Sequence, residues 1–134
     1  MNFKFSKHSE KKPKRVVILG TSGIISSNLQ KVLKKKNINI LLIGRSKLDL
    51  KKEKASKVLA KKIKKEDVVV FIAAEAPVKN IEMFINNLKI CETVSNSLKK
   101  KKISHLVYIS SDAVYTDVTG KLSENSITVP NSLH

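Results

Sequence analysis

Hydrophobic and polar residues follow two alternating patterns along most of the chain. Continuous apolar runs predict buried strands at residues 15–19, 39–43 and 67–73, and a fourth strand is predicted at 104–110. Apolar residues at helical spacing predict helices over residues 24–36, 51–64 and 80–100. Strands that alternate with helices indicate an α/β fold, a doubly wound parallel sheet of about four strands with helices on both faces. We expect the strand order 3-2-1-4, with one flank of strand four uncovered and therefore marginal stability or aggregation.

The first predicted strand leads into a glycine turn that opens the first helix. This turn reads Gly20-Thr-Ser-Gly23-Ile-Ile-Ser26. Gly20 permits a tight turn, and Gly23 lets the backbone approach a phosphate where a Cβ would intrude. Ser26 stands where a third glycine would allow close packing of helix on strand. A turn placed between a buried strand and an amphipathic helix favours a dinucleotide pyrophosphate site over a purely structural connection.

The chain is strongly basic, with a formal net charge of +16 and 27 lysines and arginines, of which only Arg15 and Arg45 are arginine. The lysines cluster in residues 34–36, 51–54, 61–65 and 99–102. Such clusters are typical of solvated helix faces and of helix carboxyl ends. No arginine forks or stacking aromatics are interleaved with them, so we expect no specific nucleic-acid partner, only salt-sensitive contact with polyanions.

Length and composition predict one folded domain. The 134 residues are 41% hydrophobic, which allows a core in residues 15–134, and residues 1–14 are expected to form a disordered basic lead. The single Cys91 excludes an intramolecular disulfide and fits a reducing compartment. Because no apolar run is long enough to span a bilayer or act as a secretory signal, we expect a cytoplasmic protein with no membrane partner.

Several further motifs follow the glycine turn in a set order. They are Gly44-Arg45, Leu48-Asp49-Leu50, Asp67-Val-Val-Val-Phe-Ile-Ala-Ala74, Asn86-Asn87 and Val107-Tyr-Ile-Ser-Ser-Asp-Ala-Val-Tyr115. Over residues 15–130 the chain resembles the extended short-chain dehydrogenase/reductases, the NAD-dependent epimerase/dehydratase group that acts largely on nucleotide sugars. The resemblance implies a Rossmann-like fold, a dinucleotide cofactor across the carboxyl edge of the sheet, a nucleotide-sugar substrate and a homodimer of the full-length protein.

The resemblance also implies a set of cofactor-binding residues: Gly20, Thr21, Ser22, Gly23, Ile24, Ile25, Arg45, Asp49, Leu50, Ala73 and Ala74. Arg45 follows the second strand where an acidic residue would normally accept the ribose hydroxyls, so its guanidinium favours the 2′-phosphate of NADP over NAD. The alternative for Arg45 is a solvated loop cation. Asp49 has two interpretations, a contact with adenine or a cap of the second helix. Ala73 and Ala74 would leave room for the cofactor, and Asn87 would brace neighbouring backbone.

Ser111 matches the family's serine or threonine that orients a reacting substrate oxygen, and we favour it over Ser110. Asp112 is interpreted as a turn residue. The family's catalytic pair is a tyrosine followed four positions later by a lysine. The tyrosine would fall at about His134, so the position of the lysine is not reached in the given sequence. We therefore expect the cofactor-binding, N-terminal part of a nucleotide-sugar epimerase, dehydratase or reductase, inactive alone. The alternative is a noncatalytic dinucleotide-binding or interaction domain, a sensor or a relic, and no metal site is expected in either case.

Overall fold

The structure, a computed structural model, describes residues 12–115 and 120–129. Its strands are β1 (Arg15–Leu19), β2 (Asn39–Ile43), β3 (Asp67–Phe71) and β4 (His105–Tyr108). Its helices are α1 (Ile24–Lys35), α2 (Ala55–Lys62) and α3 (Ile81–Lys100), and a short 3-10 helix follows at Asp112–Val114. The Rossmann-like α/β class is confirmed. Most of the predicted disordered lead lies outside the described residues.

The order of the strands in the sheet is β2-β1-β3-β4, so the predicted order 3-2-1-4 is wrong. β1 pairs in parallel with β2 on one side and with β3 on the other, and β4 pairs with β3. The burial of the strands follows from this order, since the central strands β1 and β3 are almost wholly buried while β2 begins exposed at a sheet edge. After β2 the chain crosses back past β1, so the winding reverses between the adjacent strands β1 and β3.

Alternate residues of the central strands pack on opposite faces of the sheet. Val17 and Leu19 join a core cluster with residues of α2 and α3, including Leu59 and Val94. The intervening residues of β1 join a second cluster with Leu33 of α1. Helices therefore cover both faces, which confirms the three-layer arrangement and explains why the strands read as continuous apolar runs.

Three predicted elements, α2, β3 and β4, are shorter in the structure by two residues or more. α2 begins at Ala55 rather than residue 51 because the preceding residues form turns, in which Asp49 Oδ1 accepts a hydrogen bond from Lys51 N at 3.0 Å. β3 ends at Phe71 because the amides of Ile72 and Ala73 both donate to the Leu19 carbonyl, at 2.9 and 2.8 Å, and the ladder stops there. β4 ends at Tyr108, and its side chains are largely exposed. No helix in the part of the chain that the structure describes has the length and apolar character to cross a lipid bilayer.

An ion pair joins the first residues of the two central strands. Arg15 Nε lies 2.9 Å from Asp67 Oδ1 and Arg15 Nη2 lies 2.6 Å from Asp67 Oδ2. Asp67 is 1% exposed and also accepts a hydrogen bond from Lys64 N at 2.6 Å. Burial acts to raise the pKa of Asp67, but the hydrogen bonds from Arg15 and Lys64 outweigh it, so the pKa lies below its ordinary value. This bidentate pair fixes the register of β1 against β3 at the amino edge of the sheet.

Replacing Arg15 with methionine is expected to lower the free energy of unfolding by about 3 kcal/mol, because a buried carboxylate loses its main partner while the Lys64 amide remains. The matched control is Glu66→Gln at the exposed neighbouring position, for which a change of about 0.5 kcal/mol or less is expected. Urea unfolding at neutral pH measures both variants.

The same pair predicts the direction of the pH dependence. Because the pKa of Asp67 is lowered in the folded state, its contribution is complete above the ordinary value of about 3.9 and is lost as the pH falls through the folded value. Arg15→Met should flatten this acid limb of the stability curve. Identical acid limbs for the parent chain and Arg15→Met would show that the pair does not stabilise the fold.

Candidate functional site

A cavity of about 280 Å³ opens at the carboxyl edge of the sheet, where β1, β2 and β3 end. Its walls are the glycine turn after β1, the turn after β2 and the loop after β3. Eight of the predicted cofactor residues line it: Gly20, Thr21, Ser22, Arg45, Asp49, Leu50, Ala73 and Ala74. The cavity lies where the winding reverses, which is the position at which open α/β sheets bind ligands.

Gly20 brings the strand ends together at the floor of this cavity. Its amide donates to the Ile43 carbonyl at 3.0 Å, and its φ is +95°. A Cβ at this position would lie 2.7 Å from Ala73 N, closer than real side chains approach backbone. A side chain at position 20 would therefore have to push β3 away from β1, in addition to adopting a strained backbone conformation.

Gly23 forms the amino end of α1 with a φ of +99°, and a Cβ there would meet nothing within 4 Å. No side chain caps this end among the described residues, and the first turn of α1 holds no acidic residue. The free amides and the helix dipole at such an end attract anions. The third position of the turn is packed rather than open, since Ser26 is fully buried and its Oγ accepts from Gln30 Nε2 at 3.1 Å.

The turn after β2 places Arg45 and Asp49 at one rim of the cavity. The Arg45 side chain is 74% exposed, and its Nε lies 3.8 Å from Asp49 Oδ2. Because α2 begins at Ala55, the interpretation of Asp49 as a helix cap is wrong, and its carboxylate lines the cavity instead. A Cβ in place of Gly44 would meet the Thr21 hydroxyl, so a residue with a side chain directly after β2 would require the Thr21 side chain to change its conformation.

Glu75 was not predicted as a site residue, yet it is the most strongly held side chain at the opposite rim. One carboxylate oxygen lies 2.8 Å from Lys51 Nζ, and the other accepts from Asn86 Nδ2 at 3.0 Å. Asn87 accepts from Glu75 N at 2.7 Å and donates to the Glu75 carbonyl at 3.0 Å. The bracing role predicted for Asn87 is therefore present. The only signal for Glu75 in the sequence was its position directly after the two alanines at the end of β3.

The charge of Glu75 is stabilised by these contacts. Its pKa is lowered by the hydrogen bonds from Lys51 and Asn86, which outweigh the effect of burial. Lys51 in turn neutralises this carboxylate and ties the turn after β2 to the loop after β3. The two loops are therefore joined by a direct ion pair.

A second cavity of about 470 Å³ continues along the same edge toward β4. It shares Ala73, Ala74 and Glu75 with the first cavity and is also lined by Ile25 and Ser111. The two cavities are thus two ends of one groove. Gly23 and Ile24 line neither cavity, and Ile24 is 82% exposed.

Ser111 caps the short 3-10 helix at the far end of the groove. Its hydroxyl lies 3.1 Å from Asp112 Oδ1 and accepts from Ala113 N at 3.2 Å, so Asp112 lies in a turn as predicted. Ser110 lines the same cavity, and the geometry does not separate the two serines. His134, where the catalytic tyrosine was expected, lies outside the described residues. Within residues 12–115 and 120–129, no group of three His, Cys, Asp or Glu side chains could hold a metal ion.

A doubly wound parallel sheet with an uncapped glycine turn at its switch point defines a Rossmann-like α/β protein. The family model described as the RmlD substrate binding domain matches residues 14–134. The chain belongs to this family, which confirms its resemblance to the extended short-chain dehydrogenase/reductases. A comparison with curated protein sequences gives no significant match.

Solved structures share the fold. A dTDP-4-dehydrorhamnose reductase from Clostridium acetobutylicum superposes with a TM-score of 0.70 and 23% identity, over 89% of this chain and 44% of that one. MlghC, a GDP-mannoheptose C4 reductase from Campylobacter jejuni with NADP bound, superposes with a TM-score of 0.70 and 24% identity, over 88% of this chain and 37% of that one. A UDP-N-acetylglucosamine 4-epimerase from Bacillus cereus superposes with a TM-score of 0.72 and 19% identity, over 89% of this chain and 48% of that one. The chain thus spans less than half the length of these proteins.

Asn87→Ala is expected to lower the free energy of unfolding by about 1–3 kcal/mol, because it removes the partners of both backbone groups of Glu75. Asn86→Ala, the matched control on the adjacent position of α3, removes one bond to a carboxylate that keeps Lys51, so a smaller loss is expected. Urea unfolding of the two variants tests the difference. Equal losses would mean that Asn87 does not brace the rim.

Proposed function

We propose that this chain forms the NAD(P)-binding part of a reductase or epimerase that acts on a nucleotide-linked sugar. The observation that carries the proposal is the uncapped amino end of α1, which faces open space at Gly23 beside a cavity at the switch point of the sheet. The family and the nucleotide-sugar enzymes that share the fold support the same function.

We propose that an extended dinucleotide lies along the groove in one direction. The amides at the start of α1 would hold the pyrophosphate, as other helix amino ends do. The smaller cavity, between Asp49 and Leu50 on one rim and Ala73 on the other, would take the adenosine half. The larger cavity, beside Ile25 and Ser111, would take the nicotinamide half. The small side chains of Ala73 and Ala74 keep the passage between the two halves open.

Lys51 makes the cavity suitable for an anionic ligand although the carboxylates of Asp49 and Glu75 line it. Glu75 would otherwise place an unpaired negative charge on the wall shared by both cavities, where it would repel phosphates. The ion pair at 2.8 Å removes that charge locally. Arg45 adds an exposed positive charge at the adenosine end, and we propose that it selects the 2′-phosphate of NADP.

Ser111 is proposed to orient the sugar oxygen whose carbon exchanges a hydride. A nicotinamide cofactor, when bound, supplies or accepts that hydride. The Ser111 hydroxyl lies within hydrogen-bond distance of Asp112, so a substrate oxygen would have to accept the hydroxyl proton in place of this carboxylate. Orientation by one hydroxyl is a positioning contribution, and the group that moves the proton is not assigned among the described residues.

Gly23→Val is expected to abolish dinucleotide binding, because a branched side chain would fill the space in front of the α1 amides. Gly120→Val controls for adding a side chain in open space, since a Cβ at Gly120 also meets nothing within 4 Å but lies away from the groove, although it lacks the positive φ of Gly23. Isothermal titration calorimetry with NAD and NADP measures binding, and circular dichroism verifies that both variants are folded. No binding of either dinucleotide to the folded parent chain would refute the proposed function.

Arg45→Ala is expected to weaken NADP binding by about 1.5 kcal/mol and to leave NAD binding nearly unchanged. This value is the low end for a hydrogen bond to a charged group, because the Arg45 side chain is exposed. Lys47→Ala removes an exposed charge two residues away and serves as the control. Equal losses for NAD and NADP would show that Arg45 is a solvated loop cation.

A further inference from the structure

The parallel topology gathers the three helix carboxyl ends at one edge of the molecule. Each helix runs opposite to the strands, so α1, α2 and α3 all end where the next strand begins. The strand register places these starts side by side, with Arg15 opposite both Asn39 and Asp67, and Val68 opposite His105. This amino edge of the sheet lies opposite the edge that carries the groove.

Every segment that enters a strand at this edge is rich in lysine. Residues 12–14, 34–36, 61–65 and 99–102, which we call the basic edge, contain thirteen lysines, and all thirteen are exposed. The acids nearby are Glu66 and Asp67, and Asp67 is buried against Arg15. With Arg15 and both acids included, the basic edge has a net charge of +12, compared with +16 for the whole chain. Four runs that are separate in the sequence thus form one charged surface.

Helix dipoles do not account for this number of lysines. Each helix carboxyl end is equivalent to about half a negative charge, so three ends would be balanced by one or two lysines in total. The remaining charges repel one another, and an anionic partner would relieve this repulsion.

The shape and composition of the basic edge favour a planar partner. Its lysines follow α1 on one face of the sheet and α2 and α3 on the other, so they cover an area rather than a stripe. Both cavities of the groove open at the opposite edge.

Among the described residues no aromatic side chain lies in these segments, and Arg15 is engaged by Asp67. Groups that stack on bases or read them are therefore missing, and a cylindrical duplex would contact only part of the area.

The apolar runs alone led us to expect no membrane partner, but the assembled surface differs, and we propose that the basic edge docks the protein on an anionic lipid surface. The attraction is electrostatic, since none of the exposed large hydrophobic side chains of the described residues lies in these segments to enter the bilayer. Lysines near an anionic membrane each add to the affinity, and salt screens the effect. Docking in this orientation leaves the groove facing away from the membrane and open to ligands. The proposal does not depend on the identity of the ligand in that groove.

Sedimentation of the full chain with vesicles tests the proposal. Vesicles of phosphatidylcholine alone are compared with vesicles that also contain phosphatidylserine, at low and high salt. One variant replaces Lys35, Lys36, Lys61 and Lys65 with glutamine, which neutralises charges from both faces of the basic edge. The matched control replaces the exposed Lys52, Lys54, Lys79 and Lys89 with glutamine; these residues lie before the amino ends of α2 and α3 or within α3, away from the basic edge, and the net charge changes equally.

The parent chain should bind only the phosphatidylserine vesicles and release them at high salt. The edge variant should bind at least about tenfold more weakly, and the control variant within about twofold of the parent. Absence of vesicle binding, equal weakening of the two variants, or tighter binding to a DNA duplex than to the vesicles would each overturn the proposal.

Discussion

The contact of Gly20 with the ends of two neighbouring strands is the constraint on which the groove depends. The Gly20 amide reaches the end of β2 at Ile43, and the Leu19 carbonyl before it receives the amides of Ile72 and Ala73. These bonds hold three strand ends together at the point where the winding of the sheet reverses. Because the chain leaves β1 toward one helix layer and β3 toward the other, the space above this contact stays free of helices. The cavity is therefore a consequence of backbone geometry, which the surrounding side chains then shape.

The side chains around the groove divide into a fixed rim and an open rim. At Glu75 an ion pair and three hydrogen bonds hold both the carboxylate and the backbone. At Arg45 a mostly exposed guanidinium makes one long contact with Asp49. A fixed rim suits the part of a ligand that must be placed accurately, whereas an exposed cation suits a phosphate that remains in contact with water. Because Arg45 and Glu75 both line the smaller cavity, the two rims lie across the width of the groove, and the assignment of the dinucleotide halves rests on the two cavities along its length.

Local features of the fold could be predicted from the sequence, and long-range features could not. The bounds of β1 and β2 and the start of α1 follow from apolar runs and from glycines whose positive φ values the turn requires. Strand order could not be predicted in the same way, because the runs that became β2 and β3 are equally apolar and differ only in what packs beside them. Burial of β3 on both sides is a property of the assembled sheet.

The same limit applies to the candidate site. Eight of the eleven predicted cofactor residues line one cavity because they belong to motifs that follow strand ends. The Lys51–Glu75 pair joins residues 24 positions apart, and no pattern in either segment indicates the other. The basic edge was visible as separate lysine runs, but their merging into one surface required the parallel topology.

Hydrogen exchange measured with and without NADP tests most directly whether the groove at the switch point is a dinucleotide site. The structure predicts slower exchange on adding NADP for amides in residues 20–26 and 72–75, which surround the Gly20 contact and the start of α1. Exchange in residues 61–66 at the opposite edge should not change. Unchanged exchange in the glycine turn, or protection confined to the basic edge, would contradict this account.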